Sequence, residues 1–348
     1  MTGAAGTVGN YVVGLCEAKG YGVVASDMNA RGLRRPTRGR IVPGDLNDPA
    51  VRAQALRGVD YVVHTAGLLD ATADAAGLGR VNTDLVVALY EDGADAGVKR
   101  FVHMSTCMLY APRQGIALNE DAAIAPRGPH GLSKQGAEAF LRGRGRDGPA
   151  WTILRAAPVY GRRGRHFAAS LLAVGPLLRL GMPWIPRFEG GPMHTFVHAE
   201  DVARALLFLL ADERSAYGMY NVADEDAMSL GERIGHTFDA YGLRTIGSGR
   251  TLGFLAPLAK AAARTPGSLR AFDASVLTLW KAVVARYGLK PALRPRLDRE
   301  AVTLLDDDLV IDCSRLRDLG FELRHPSFAT GWAGVLRWYQ AEGWVPRY

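Results

Sequence analysis

The chain has 348 residues, 48% of them hydrophobic and 22% charged, with a formal net charge of +7. That length suits one large α/β domain and a smaller lobe, and the scattered arginines, never laid along one helix between aromatics, argue against a nucleic-acid binder. Three cysteines without a CxxC pair and histidines that do not cluster argue against a structural metal and for a reducing, cytoplasmic setting, and no apolar run is long enough to span a membrane.

In chain order, the first feature is the glycine-rich run Thr2-Gly3-Ala4-Ala5-Gly6-Thr7-Val8-Gly9. Glycines at 3, 6 and 9 fit a strand-to-helix turn that brings a pyrophosphate against a helix N-terminus. Gly3 would allow the tight turn, Gly6 the close approach of the phosphate, and Gly9 the packing of helix on sheet. Such a turn normally follows a buried strand, and here only Met1 precedes it. The expectation is a first strand missing from the given chain, with upstream in-frame codons encoding a short apolar run.

From Gly9 to about Tyr220, β-rich runs alternate with helical stretches, as a parallel sheet of βαβ units requires. Tyr11–Ala18 reads as a helix and residues 22–26 as a strand ending at Asp27. Residues 40–46 give a strand and turn, Pro49–Leu56 a helix, residues 60–66 a buried strand, and Asn82–Ala96 a helix. Lys99–Ser105 reads as a strand, Ser133–Arg142 as a helix and Trp151–Arg155 as a strand, while residues 195–198 lead into a helix near Glu200. Beyond Tyr220 the alternation fades. Leu252–Ala263 and Ser275–Arg286 read as helices of a second lobe, and Trp332, Trp338 and Trp344 as anchors of a final amphipathic helix.

Several segments stand in register with a known pattern. They are TGAAGTVG (2–9), Asp27, Gly44-Asp45-Leu46, His64-Thr65-Ala66-Gly67 and Val81-Asn82. FVHMSTCMLY (101–110), HGLSKQGAE (130–138), LRAAPVYG (154–161), FVHAEDVARA (196–205) and YNVAD (220–224) continue it. In these the chain resembles the extended short-chain dehydrogenase/reductases, the NAD-dependent epimerase/dehydratase family. The resemblance implies a Rossmann-type doubly wound parallel sheet over residues 1–220, with some substrate-lobe segments after 160, and a smaller, mostly helical substrate lobe over 221–348. It also implies a small-molecule substrate and a homodimer paired through the helix that carries residues 130 and 134.

The resemblance further implies roles for single residues. Gly3, Gly6 and Gly9 would contact the pyrophosphate, and Asp27 would accept hydrogen bonds from the adenine ribose, favouring NAD over NADP. The arginines that follow (31, 34, 35, 38 and 40) leave NADP open, since a guanidinium can neutralise a 2′-phosphate. Asp45 and Leu46 would flank the adenine, and Ala66 and Gly67 would lie along the middle of the coenzyme. In this family a Ser or Thr, a Tyr, and a Lys four residues beyond the Tyr carry the chemistry, the last two sharing one helix face. Thr106 and Lys134 occupy the first and last positions, but His130 stands where the tyrosine belongs. Three readings follow: His130 is the acid/base, another group or a water carries the proton, or the protein binds a dinucleotide and catalyses nothing. Tyr110 and Tyr160 match structural positions of the family and are set aside.

Three further departures bear on the substrate. Cys107-Met108 follows Thr106 where dehydratases carry Asp-Glu, Pro158 replaces an amide common in sugar-nucleotide enzymes, and His194 takes the place of their diphosphate-binding arginine. These point to an oxidoreductase of a less polar alcohol or carbonyl, in the manner of the steroid-dehydrogenase branch. A nucleotide-sugar epimerase and a silent dinucleotide binder are the alternatives.

Overall fold

The computed structural model describes residues 1–28, 32–33, 36, 38–69, 75–165, 167–251, 266–295, 304–305 and 307–348. The chain runs α1 (Thr7–Ala18), β1 (Val23–Asp27), β2 (Gly39–Pro43), α2 (Pro49–Leu56), β3 (Tyr61–His64), α3 (Ala75–Gly79), a π turn (Arg80–Asp84), α4 (Leu85–Asp95) and β4 (Arg100–Thr106). A 3-10 turn (Cys107–Leu109), α5 (Pro129–Gly143), β5 (Ala150–Ala156), β6 (Val159–Tyr160), α6 (Phe167–Gly181) and β7 (Ile185–Glu189) follow. Next come β8 (Met193–His194), β9 (Val197–His198), α7 (Ala199–Ala211), β10 (Gly218–Val222), β11 (Met228–Ser229) and α8 (Leu230–Tyr241). β12 (Thr245–Thr251), α9 (Pro266–Tyr287), α10 (Ser314–Asp318) and α11 (Phe328–Ala341) complete the described elements. The helix expected over 252–263 lies outside the described residues, as do Arg31, Arg34 and Arg35.

β3, β4, β5 and β10 form a parallel ladder in the order β10-β5-β4-β3, and β1 pairs in parallel with β2. β4 and β5 are buried along nearly their whole length, as central parallel strands covered on both faces must be. Met1 to Ala4 join the two pieces. Thr2 bridges Ser26 on one side and His64 on the other. Its N–H donates to the Val63 carbonyl (3.1 Å), while the Ser26 N–H donates to the Met1 carbonyl (2.9 Å). The central position that the sequence leaves almost bare is therefore held by these first residues. The order β2-β1-Thr2-β3-β4-β5-β10 is that of a Rossmann-type, doubly wound sheet.

Local signals set the helix starts, in two places earlier than the periodicity predicts. α5 begins at Pro129, whose fixed φ and missing N–H suit the first helical position, so residue 130 sits in its first turn. α1 begins at Thr7, directly after the glycine turn. α8 carries a capping box between Ser229 and Glu232 and ends on Gly242 at φ +70°.

Among the described residues the core falls into four apolar clusters, two of which take in the later part of the chain. One packs on the sheet and takes in Val202, Leu206, Leu309, Ile311, Leu316 and Phe321, so residues 309–321 return to the sheet. The other gathers Leu172, Phe238, Trp280, Phe328 and Trp332 from α6, α8, α9 and α11. Among the described residues no helix is long and apolar enough to cross a membrane.

Close to the second cluster, the Arg233 guanidinium lies 3.8 Å from the Phe196 ring centroid and 4.7 Å from that of Phe328, and it donates to the His194 carbonyl. Asp224, 3% exposed, shares this setting. Burial, reinforced by Asp226, pushes its carboxyl from 3.8 up to about 8, with Arg233 opposing. Between those values the folded chain binds more protons than the unfolded one, so this contribution to stability is complete below about pH 4 and lost as the pH rises through about 8. Asp224→Asn is expected to flatten that slope, which urea midpoints at about pH 5 and about pH 9 would read. An unchanged slope would mean the carboxylate is ionised and compensated in the fold.

Candidate functional site

The site begins at the glycine turn. Gly3 sits at φ +68°, and a Cβ on it would lie 2.7 Å from the Ala66 nitrogen. A Cβ on Gly9 would lie 2.0 Å from the Gly3 carbonyl oxygen, so Gly9 lets the first turn of α1 close on the glycine turn itself. Gly6 is the N-cap of α1 and offers no side-chain cap, which leaves first-turn N–H groups for an anion. Asp27 ends β1, its Oδ2 accepting from the Ala5 N–H and its Oδ1 from the Met28 N–H, both at 2.9 Å. Asp45 closes a turn by accepting from the Asn47 N–H, and Leu46 beside it is buried.

At the other end stand the reactive groups. β4 delivers Thr106, whose Oγ1 accepts from the Met108 N–H at 3.1 Å and caps the 3-10 turn. α5 carries His130 and Lys134 one turn apart, on one face. The Lys134 ammonium is buried, donates to the Met104 carbonyl at 3.0 Å, and lies where a Cβ on Gly67 would come within 3.4 Å. Burial lowers its pKa from 10.5 to about 8, with Glu138 pulling it back up.

His130 has its ring seated by the backbone. Its Nδ1 is 3.1 Å from the Leu68 carbonyl oxygen. A carbonyl only accepts, so Nδ1 carries the proton and Nε2 keeps the lone pair in the neutral ring. Asn82 secures that carbonyl: its Oδ1 accepts from the Leu68 N–H (2.8 Å) and its Nδ2 donates to the Leu68 oxygen (2.9 Å). The same Nδ2 donates to Ser133 Oγ at 3.0 Å, and the Ser133 hydroxyl donates to the His130 carbonyl at 2.7 Å. Asn82 is fully buried in the π turn ahead of α4, and that turn replaces the start of the helix expected from Asn82 onward. The sequence reading gave Asn82 no role. The available signal was its place in Val81-Asn82, one of the segments in register with the family pattern.

All eleven residues singled out in the sequence (Gly3, Gly6, Gly9, Asp27, Asp45, Leu46, Ala66, Gly67, Thr106, His130 and Lys134) line one cleft of about 1040 Å³. Tyr110 and Tyr160 do not line it. Tyr110 is buried, its hydroxyl donating to Asn221 Oδ1 at 2.7 Å and accepting from Arg155 at 2.9 Å. Tyr160 is buried against Phe328 and Trp332. Cys107 is fully buried with its thiol toward the Arg155 carbonyl, and His194 is buried with Nε2 facing the Asp307 carbonyl. Trp332 anchors α11 as expected, and Trp338 and Trp344, packed against the same cluster, also lie on the cleft wall.

The other polar cluster, His198, Glu200 and His325, places its donor atoms within 4.8 Å of one another. The His198 Nδ1 lone pair already accepts from the Glu200 N–H (3.1 Å), and the Glu200 carboxylate pairs with Arg324. With that lone pair occupied and a guanidinium alongside, the cluster is a joint between α7 and the C-terminal segment, poorly suited to a cation.

The sequence pattern of the NAD dependent epimerase/dehydratase family matches residues 1–223. A UDP-glucose 4-epimerase of Azospirillum brasilense is 28% identical over 63% of this chain and 69% of its own length. A 3 beta-hydroxysteroid dehydrogenase/Delta 5-->4-isomerase of Mycobacterium tuberculosis is 25% identical over 95% of this chain and 86% of its own. Among solved structures, MoeE5 in complex with UDP-glucose and NAD covers 98% of this chain and 97% of its own at 23% identity, with a TM-score of 0.70, a likeness of fold. With the glycine turn, the Asp27 position and the Thr106–Lys134 pair on one cleft, this chain belongs to the NAD-dependent epimerase/dehydratase family.

Proposed function

We propose that the chain is an NAD-dependent oxidoreductase of a less polar alcohol or carbonyl compound, with His130 as its general acid/base. The observation that supports this most directly is the Nδ1–Leu68 contact, which turns a one-residue departure from the family into an oriented imidazole beside Lys134. NAD fits the residues present: the uncapped first turn of α1 would take the pyrophosphate, Asp27 the adenine ribose, and Lys134 the nicotinamide ribose.

When bound, NAD supplies the two-electron redox chemistry. The residues supply position and protons. Thr106 would hydrogen-bond the substrate oxygen, and His130 Nε2 would take the proton from an alcohol or return it to an alkoxide. Leu68, Leu69, Leu78, Met104, Met108, Pro129 and Leu304 also line the cleft, an apolar set that favours an oily substrate over a sugar diphosphate. The steroid dehydrogenase relative, similar along nearly the whole chain, agrees with that preference.

The test is a panel of apolar secondary alcohols and ketones set against UDP-glucose and UDP-galactose. Net formation of NADH from the alcohols supports the reading. Interconversion of the two sugars without net NADH would replace it with epimerase activity. The active enzyme should also lose kcat/KM as the pH rises through about 8, where Lys134 loses its proton. Lys134→Arg is expected to move that alkaline limb upward, because arginine keeps its charge. A limb that stays in place would assign it to another group.

A further inference from the structure

The loop after β6 crosses the mouth of the cleft. Arg163, Gly164 and Arg165 line it together with the glycine turn and Asp27. Two anchors hold the loop. From α11, the Tyr339 hydroxyl lies 3.2 Å from the Gly161 carbonyl oxygen and is also within hydrogen-bond reach of Gly164 O. On the far side, Arg163 Nη1 donates to the Gly32 carbonyl at 3.1 Å, reaching the segment that follows Asp27. Arg163 adopts φ +65°, a left-handed conformation that a side chain with a Cβ takes only when its surroundings hold it there. The Arg165 guanidinium lies 5.9 Å from the Trp344 ring centroid on the cleft wall.

The described cations lining the cleft are Arg80, Lys134, Arg163 and Arg165. Lys134 is bonded to Met104 O at the reactive end, and Arg80 belongs to the π turn. Among the described residues neither Arg163 nor Arg165 forms an ion pair with a carboxylate. Resting on the NAD reading above, we propose that Arg163, Gly164 and Arg165 form a coenzyme latch. Arg163 and Arg165 neutralise the pyrophosphate bound at the α1 N-terminus, and the Arg163–Gly32 contact closes the cleft over it. The pair thus serves the coenzyme, not a substrate diphosphate. A guanidinium on a phosphate is charge-assisted, directional and lost in salt.

The experiment is calorimetric titration of the full chain with NAD⁺ and, separately, with NADP⁺ and UDP-glucose. Arg163→Ala and Arg165→Ala should each weaken NAD⁺ binding by on the order of tenfold, with little change in melting temperature, since both side chains are exposed. Arg162→Ala, on the same loop but outside the cleft lining, is the control for general surface charge and should leave the affinity unchanged. Arg163→Ala should also speed NAD⁺ release in stopped-flow more than Arg165→Ala does, because it alone breaks the contact with Gly32. Equal effects at all three arginines, or none, would overturn the latch. Weakened binding of NADP⁺ alone would overturn the pyrophosphate assignment in favour of a 2′-phosphate, and weakened UDP-glucose alone would return the pair to the substrate. If the unaltered chain binds no NAD⁺, the coenzyme reading itself fails, a result distinct from all of these.

Discussion

His130→Ala is expected to lower kcat for alcohol oxidation by about 10²–10⁴-fold, the range lost with a positioned general acid/base. NAD⁺ affinity should stay within about twofold, because the residues expected to hold the dinucleotide are elsewhere on the cleft. The reason lies in how the ring is held. Free imidazole exchanges its proton between two nitrogens, and only one tautomer offers a base on the nitrogen away from the Leu68 carbonyl. Leu68, pinned at both its N–H and its C=O by Asn82, selects that tautomer before substrate arrives. A third member of the network, Ser133, ties the His130 carbonyl to the same amide. Such preorganisation suits a group that handles a proton. If the alanine variant keeps full turnover, the proton moves through another group, and the Leu68 contact is a structural filler for the missing phenol. Calorimetry beside steady-state kinetics separates lost chemistry from lost coenzyme binding.

Much of this was legible in the sequence because the coenzyme half of such a fold is written in local terms. A glycine that must adopt positive φ, a glycine too close to a carbonyl to bear a Cβ, and an acid at the end of a strand are each one-residue constraints. They could be placed before any coordinates, as could the strands, whose β-branched runs have few other uses. The Asn82 clamp was not legible, because it joins residues 68, 82, 130 and 133, which the fold brings together from separate elements. The latch was hidden for the same reason: its anchors lie at residues 32 and 339. The bare position of the first strand was visible. That Met1 to Ala4 span it, bonding to β1 through Met1 and Ala4 and to β3 through Thr2, depends on sheet geometry that no local pattern records.

The largest expected effect on stability lies behind the cleft, at the Arg155–Glu138 pair. Arg155 is fully buried on β5 and Glu138 is 2% exposed on α5. The guanidinium donates to both carboxylate oxygens, at 2.6 to 3.2 Å, and its remaining nitrogen reaches the Tyr110 hydroxyl and the Glu120 carbonyl. Arg155→Met should therefore cost about 3–5 kcal/mol of unfolding free energy, since it strands a carboxylate in the core. Glu138→Gln should cost a similar amount by stranding the guanidinium, whereas the double replacement Arg155→Met with Glu138→Gln should cost well below the sum of the two. Urea denaturation of the four proteins reads the cycle, and strict additivity would mean that water compensates each lone charge. The pair also bears on the chemistry, because Glu138 lies one helical turn beyond Lys134 and raises its pKa. Removing that negative charge lets burial act with less opposition, so the lysine loses its proton at lower pH. In Glu138→Gln the alkaline limb of kcat/KM should thus move below about 8, while in Arg155→Met, which keeps the carboxylate, it should not. A buried ion pair would then be setting the pH range of the site through the helix that carries both functional side chains.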